Sequence, residues 1–211
     1  DWSSDVCSSD LYEQGTTNQL VPDMTLLGTG KLGLPYTTTT QTIPNFTVVT
    51  VPSNQNGTYQ SGNQTVTYYY KRNNAGNITV HHYEVGQSTE LYKPTGVAAP
   101  SAEVFDGTGK LGLSETFVNR EADIDNYEYV SVDTSGAPGL TATGGSGQTN
   151  VIYQTGAQTV IYRYRRKNAA NITVHHYEDG TTTELYSPTG GTPGAVTISG
   201  TGKLGLPENL T

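Results

Sequence analysis

Asn77–Glu84 read NITVHHYE, and Asn171–Glu178 read the same eight residues, an offset of 171 − 77 = 94. Within the block Ile78, Val80 and His82 alternate with Thr79, His81 and Tyr83, the period-two pattern of a strand with one buried face. Working outward, QTVTYYYKRN at Gln64–Asn73 returns as QTVIYRYRRKN at Gln158–Asn168, again 158 − 64 = 94 residues on. GTGKLGL occurs at Gly28, Gly107 and Gly200. Matched blocks in one order at one spacing mark a tandem repeat, and a period of 94 exceeds the roughly 20–45 residues of a solenoid unit. Each repeat is long enough for a small domain with its own core.

The blocks divide the chain into an incomplete repeat at residues 12–73, a complete one at 74–168 and the first part of a third at 169–211. YEQGTTNQL from Tyr12 aligns without a gap to YEVGQSTEL from Tyr83, an offset of 83 − 12 = 71. Repeat lengths differ in loops: Val51 to Gln64 is 13 steps and Val132 to Gln158 is 26, the surplus being Gly/Ser/Thr-rich around Gly136–Gly147. Loop-closure entropy rises slowly with length, so an insertion there costs little. The joints at 71–77 and 165–171 are short and polar, so the array is expected to be a semi-rigid rod continuing in both directions.

Phe46–Val51 and Tyr127–Val132 read as a further strand, and Ser88–Tyr92 as a return strand after the Gly86 turn. A single helical turn is expected near Leu111–Phe117, and no long amphipathic helix anywhere. The core of the complete repeat is expected to hold Ile78, Val80, Leu111, Leu113, Ile124, Tyr127, Val160 and Tyr162. In GTGKLGL, Leu follows Lys where a phosphate loop needs Ser or Thr, so the motif reads as a glycine turn feeding leucines into the core.

Residues 1–11, DWSSDVCSSDL, match one reading frame of a common sequencing-adapter oligonucleotide, and repeat homology begins where that match ends. They are expected to be a non-native tail, with Asp1–Asp10 making no packed contacts. Trp2 and Cys7, the chain's one Trp and one Cys, both fall there, so the remainder offers no disulfide, thiolate or Cys metal site. Without Asp1, Asp5 and Asp10 the net charge moves from −8 to −8 + 3 = −5. An acidic chain lacks the basic footprint of a nucleic-acid binder, and no run approaches the roughly 18 apolar residues of a membrane span.

Taken together, ITVHHYEDG, GTGKLGLPYTTT, IPNFTVVTVPSNQNGTY and QTVTYYYKR resemble the mucin-binding-protein (MucBP) repeat of bacterial surface proteins, over the whole chain after residue 11. The most specific elements are Gly30–Tyr36, Ile43-Pro44 ahead of Phe46, and the strand opening at Gln64. In the complete repeat Ser114-Glu115 replaces Pro-Tyr and Asp125 replaces the Pro after Ile124. The resemblance implies mainly β architecture with little helix, as small α+β, β-grasp (ubiquitin-like) domains in tandem. It also implies display on a secreted, wall-anchored protein of Gram-positive bacteria and adhesion to mucin or other host glycans. A stalk projecting a separate adhesive head is the alternative. No catalytic residue and no cofactor is implied.

The residues agree with a non-catalytic reading. Neighbours on a strand point to opposite faces, so His81-His82 and His175-His176 are expected to be structural. The acidic run Glu121, Asp123, Asp125 and Glu128 has no counterpart at residues 39–48 of the first repeat, so it reads as a solvated edge rather than a calcium site. Tyrosine, at 15 residues, is the excess that suits sugar stacking. Tyr68 and Tyr70 share the face of Val66 and are expected inside; Tyr59 and Tyr69 are the candidates for exposed, glycan-binding rings. These boundaries predict that residues 74–167 unfold cooperatively as an isolated fragment. Residues 12–71 and 171–211, each lacking part of a sheet, should melt at lower temperature in a calorimetric scan. Equal midpoints for all three would show the boundaries to be misplaced.

Overall fold

The computed structural model describes residues 6–133, 135–136, 141–143, 147–188 and 190–209. The first repeat contains β1 (Val6–Glu13), β2 (Gln19–Leu27), β3 (Pro35–Thr37), β4 (Phe46–Thr50), β5 (Asn56–Thr58) and β6 (Gln64–Arg72). The second contains β7 (Ile78–Glu84), β8 (Glu103–Phe105), β9 (Ser114–Val118), β10 (Tyr127–Asp133), β11 (Thr141–Thr143), β12 (Gln148–Ile152) and β13 (Gln158–Arg166). The third contributes the pair β14 (Ile172–Val174) and β15 (Val196–Ile198). Among the described residues the one helical element is a 3-10 turn at Glu121–Asp123, and no helix is long and apolar enough to cross a membrane. Mainly β architecture in tandem units is therefore what the chain adopts.

Each of the first two repeats brings its opening and closing strands together at the centre of one sheet. In the first the order is β2-β1-β6-β4. β1 is antiparallel to β2 and parallel to β6, and β6 is antiparallel to β4. The second repeat has the equivalent order β8-β7-β13-β10. Gln158 N–H donates to Asn77 O at 3.0 Å and Val85 N–H to Tyr164 O at 2.8 Å, so β7 and β13 also run the same way. Parallel neighbours cannot be joined by a tight turn, which is why the whole repeat must intervene between them. The intervening chain forms a second, smaller layer, β3–β5 in the first repeat and β11-β12-β9 in the second. β11 lies within the long insertion, of which residues 134, 137–140 and 144–146 fall outside the described residues.

Compactness divides the chain differently from the repeats. One body comprises Asp1–Ile78, Phe105–Glu115 and Ile152–Gln158; the other comprises Thr79–Val104, Thr116–Val151 and Thr159–Thr211. The core of the first repeat is Leu11, Tyr36, Ile43, Tyr59, Val66, Tyr68 and Tyr70. Three of its four tyrosine hydroxyls bond internally. Tyr36 donates to Asn54 O at 3.1 Å, Tyr68 meets Thr38 Oγ1 at 2.7 Å, and Tyr70 donates to Gln41 O at 3.0 Å while accepting Gln41 N–H at 2.9 Å. A buried hydroxyl without such a partner would offset part of what burying its ring gains.

In the second repeat Ile78, Val80, Ile124, Tyr127, Val160 and Tyr162 are buried as the alternation predicts. Leu111 and Leu113 are not: Leu111 is half-buried and Leu113 exposed, because the positive φ of Gly109 and Gly112 turns the loop along the surface. The expected helical turn at 111–117 is instead a loop running into β9, and Ser88–Tyr92 makes only an isolated bridge, Tyr83 to Glu90. The pleated edge beside β7 is taken by β8.

The adapter-like segment also departs from expectation. Asp1–Asp5 lie outside the described residues, but Val6–Asp10 belong to β1 and pair with both β2 and β6. Ladder bonds are made by backbone, so the slot beside β6 accepts a chain of almost any sequence. With the offset of 71, Ser9 takes the place that Val80 holds in the second repeat. Ser9 is buried, and its hydroxyl has no hydrogen-bond partner.

His82 is wholly buried in the core of the second repeat, stacked on Tyr162 at a ring separation of 5.4 Å. Tyr164 hydroxyl accepts Arg120 N–H at 2.8 Å, which leaves its proton for His82 Nδ1 at 2.9 Å. His82 Nε2 then carries the hydrogen and faces Glu103 Oε2 at 3.4 Å. Glu103 in turn receives Arg120 Nε at 3.2 Å and Nη2 at 2.8 Å. Burial pushes the His82 pKa below 6.5; the bond and charge of Glu103 and the charge of Glu90 oppose this, and Arg120 reinforces it.

Two outcomes are expected. Ser9→Val should raise the stability of the first repeat by about 1–3 kcal/mol in urea titration, by removing an orphaned hydroxyl and adding buried carbon; a loss of stability would mean Ser9 is bonded after all. For His82 the unfolded chain takes up a proton as pH falls through 6.5, whereas the folded chain resists until a lower pH. Its stabilising contribution is thus full above 6.5 and declines as pH falls below it. The melting temperature of residues 74–167 should drop over that window, and His82→Leu should flatten that part of the profile.

Candidate binding surfaces

On β6 the alternation that buries Val66, Tyr68 and Tyr70 sends Thr67, Tyr69 and Lys71 to the opposite face of the sheet. Tyr69 is 44% exposed. Its neighbours across the sheet are Tyr12 on β1 and Thr50 on β4, and Lys71 pairs with Thr47. A register shift between Val48 and Thr50 leaves Val49 exposed beside them. An open concavity adjoins this face, with Thr47, Val49, Lys71, Arg72 and Asn74 among its lining residues. An aromatic ring with a wet hydroxyl, flanked by hydroxyl and ammonium groups, can stack on a sugar and bond its rim.

Tyr59, the other candidate from the sequence, is only 5% exposed. Tyr59 N–H donates to Leu34 O and its carbonyl accepts Gly33 N–H, both at 2.9 Å, which draws the residue into the smaller layer. Its ring packs edge-on to Tyr36 at 5.6 Å, and Lys31 Nζ lies over it at 5.4 Å. The expectation that Tyr59 is exposed therefore fails, since its face is spent on packing. Arg163 occupies in β13 the place of Tyr69, so the exposed ring of the first repeat is not reproduced in the second.

The first histidine pair splits as strand geometry requires, with His82 buried and His81 half-exposed, whereas His175 and His176 are both exposed in the third copy. His81 stacks on Tyr83 at 5.0 Å, with its Nδ1 2.5 Å from Glu90 Oε1 and 2.7 Å from the Tyr83 hydroxyl. His175, Tyr177 and Glu184 repeat the arrangement in the third copy, with the rings again at 5.0 Å. Tyr12, Tyr83 and Tyr177 are thus one recurring outward position. Sequence reasoning passed over it, although its place in the repeated block, two residues from His81, marks the exposed face. Tyr83 is covered by His81 and by Arg163, whose guanidinium lies 5.4 Å from its ring centre.

The acidic run is dispersed into local bonds. Glu121 Oε2 accepts Tyr129 N–H at 3.1 Å and its Oε1 lies 3.6 Å from Lys167 Nζ, while Glu128 Oε1 takes Arg165 Nη2 at 2.6 Å. Among the described residues no group of three or more His, Cys, Asp or Glu side chains could hold a metal ion.

Comparison with known proteins places these surfaces in a family. The chain is similar to Internalin J of Listeria monocytogenes serovar 1/2a, 30% identical over 164 residues, which span 76% of this chain and 16% of that protein. Internalin J of serotype 4b is 30% identical over 182 residues, spanning 84% and 17%. The chain thus spans about a sixth of the length of these relatives. Among solved structures it is similar to domains 3-4 of the Streptococcal High Identity Repeats in Tandem of a cell surface protein, with a TM-score of 0.31 and 11% identity, covering 79% of this chain and 100% of that one. Mub-RV aligns with a TM-score of 0.22 and 11% identity over 75% of this chain and 98% of that one. The family model of the MucBP domain matches residues 11–71 and again residues 77–165, and on those two matches the chain belongs to the MucBP domain family.

Proposed function

We propose that this chain is a non-catalytic segment of a bacterial surface adhesin, displayed outside the cell on a wall-anchored protein, that holds mucin or other host glycans through weak, repeated contacts. Attachment to peptidoglycan would be made by regions beyond this chain. Membership of the MucBP family and the tandem repeats support the adhesin reading. The observation that carries the glycan reading is the exposed Tyr69 ring on the outer sheet face between Tyr12 and Thr50. A single stacked ring holds a sugar weakly, and linked copies on a polymeric ligand multiply weak sites through effective concentration.

A stalk that spaces a separate adhesive head is favoured by a different observation. Most of the closing-strand tyrosines are spent on the core, and the counterpart of Tyr69 is Arg163. The two readings part on direct binding. Under the glycan reading the full chain binds immobilised mucin above an unrelated acidic protein, glycosidase treatment of the mucin abolishes that binding, and Tyr69→Ser weakens it roughly five- to tenfold with the melting temperature unchanged. Binding equal to that of the acidic control would leave the repeats as spacers.

A further inference from the structure

Both joints between repeats are closed by one set of bonds. Within the first body Arg72 Nη1 donates to Leu111 O at 3.1 Å and Leu111 N–H to Asn73 O at 3.1 Å. Gly109 N–H donates to Asn74 Oδ1 at 2.9 Å, and Ala75 N–H to Gly107 O at 2.8 Å. Gly107 N–H completes the set by donating to Asn77 Oδ1 at 3.1 Å. The second body repeats it bond for bond. Arg166 Nη1 donates to Leu204 O at 2.9 Å, and Leu204 N–H to Lys167 O at 3.1 Å. Gly202 N–H donates to Asn168 Oδ1 at 2.8 Å, Ala169 N–H to Gly200 O at 2.8 Å, and Gly200 N–H to Asn171 Oδ1 at 3.0 Å.

The side chains that make these bonds sit at matching places in RNNAGN (Arg72–Asn77) and RKNAAN (Arg166–Asn171). Each arginine is braced by its own repeat, Arg72 lying 4.4 Å from the Phe46 ring centre and Arg166 4.5 Å from that of Tyr127. A cation held over an aromatic face keeps its remaining N–H groups aimed outward. The receiving loop needs glycine for want of space. A Cβ on Gly107 would stand 2.4 Å from Gly76 O, and one on Gly200 2.3 Å from Ala169 O. A Cβ on Gly112 would stand 2.3 Å from Asn45 Nδ2, and one on Gly205 2.5 Å from Asn126 Nδ2. Among the described residues Asn45 and Asn126 are the two positive-φ residues other than glycine, both at 67°.

The first copy of the loop, Gly28–Leu34, has the same backbone turn, with φ of 73° at Gly30 and 78° at Gly33. There, however, nothing stands within 4 Å of a Cβ placed on Gly33. Leu32 is 64% exposed, whereas its counterparts Leu111 and Leu204 are half-buried. Among the described residues no Arg-x-Asn-Ala segment lies on this loop.

We propose that GTGKLGL is the receiving half of a repeat-to-repeat clamp, that the Arg-x-Asn-Ala-x-Asn run is the giving half, and that Gly28–Leu34 docks the closing end of another copy of this repeat. The partner is identified by its chemistry: a guanidinium braced on an aromatic ring, carboxamides two and five residues after it, and a left-handed asparagine facing the last glycine of the loop. Each clamp gives three loop amides a protein acceptor in place of water, so a neighbour stabilises the repeat it touches. This assignment does not depend on what the repeats bind.

Amide hydrogen exchange on the full chain tests both halves. In the triple variant Arg72→Ala, Asn74→Ala, Asn77→Ala, the amides of Gly107, Gly109 and Leu111 should exchange roughly tenfold faster, as expected when ordinary hydrogen bonds no longer close a loop. The amides of Gly202 and Leu204 should be unaffected, as should those of Tyr68 and Tyr70 in β6. Unchanged exchange at the three loop amides would overturn the clamp, and so would an equal loss of protection along β6. For the open copy, residues 1–11 are replaced by the equally long sequence of residues 72–82, RNNAGNITVHH. Exchange at Gly30 and Leu32 should then slow to the rates of Gly109 and Leu111; rates no slower than before would show that Gly28–Leu34 does not take that partner.

Discussion

The closing strands β6 and β13 each carry two buried tyrosines, and the hydroxyl bonds of three of the four, Tyr68, Tyr70 and Tyr164, tie distant segments to the main sheets. Tyr70 exchanges bonds with both the N–H and the carbonyl of Gln41, and Tyr164 accepts Arg120 N–H in the second repeat. In both cases a side chain at the centre of the main sheet ties down the loop that leads to Ile43 or Ile124, which then closes the core. A chain with 33% hydrophobic residues has few aliphatic groups to spend. Tyrosine supplies ring area for burial, but it constrains the loops wherever its hydroxyl bonds to one, as at Gln41 and Arg120.

That constraint also governs what the surface can offer. Rings committed to the core, such as Tyr59, Tyr68 and Tyr70, cannot meet a ligand, so the large tyrosine count says less about sugar binding than it first suggests. The outer sheet face offers Tyr69 in one repeat and an Arg163–Tyr83 pair in the next. Repeats that share a core by necessity can thus differ on the face that would touch a ligand.

The opening strand follows a looser rule. Its slot lies between β2 and β6, and the ladder bonds on both sides are backbone bonds. An adapter-like segment with serine at the valine position still occupies it, at the cost of a buried hydroxyl with no partner. In the second repeat the same slot holds Ile78, Val80 and His82, and the last of these introduces a buried imidazole tied to Tyr164 and Glu103. Its sensitivity to acid is a property of that repeat's core.

Much of this was determined by sequence alone. The repeated NITVHHYE and QTV blocks set the tandem organisation and the strands, because period-two alternation of apolar residues leaves only one face to bury. They also placed Val66, Tyr68 and Tyr70 inside and Tyr69 outside. Only the tertiary structure decided the rest. Tyr59 looked exposed because its own neighbours are polar, but its burial depends on Tyr36 and Leu34, more than 20 residues away. The leucines of GTGKLGL looked like core residues because they are apolar, yet glycines at positive φ turn their loop along the surface, and its backbone meets the joint of the neighbouring repeat. The paired carbonyls and carboxamides that receive that backbone are ordinary polar residues in sequence, and their role exists only where two distant segments come within hydrogen-bond reach.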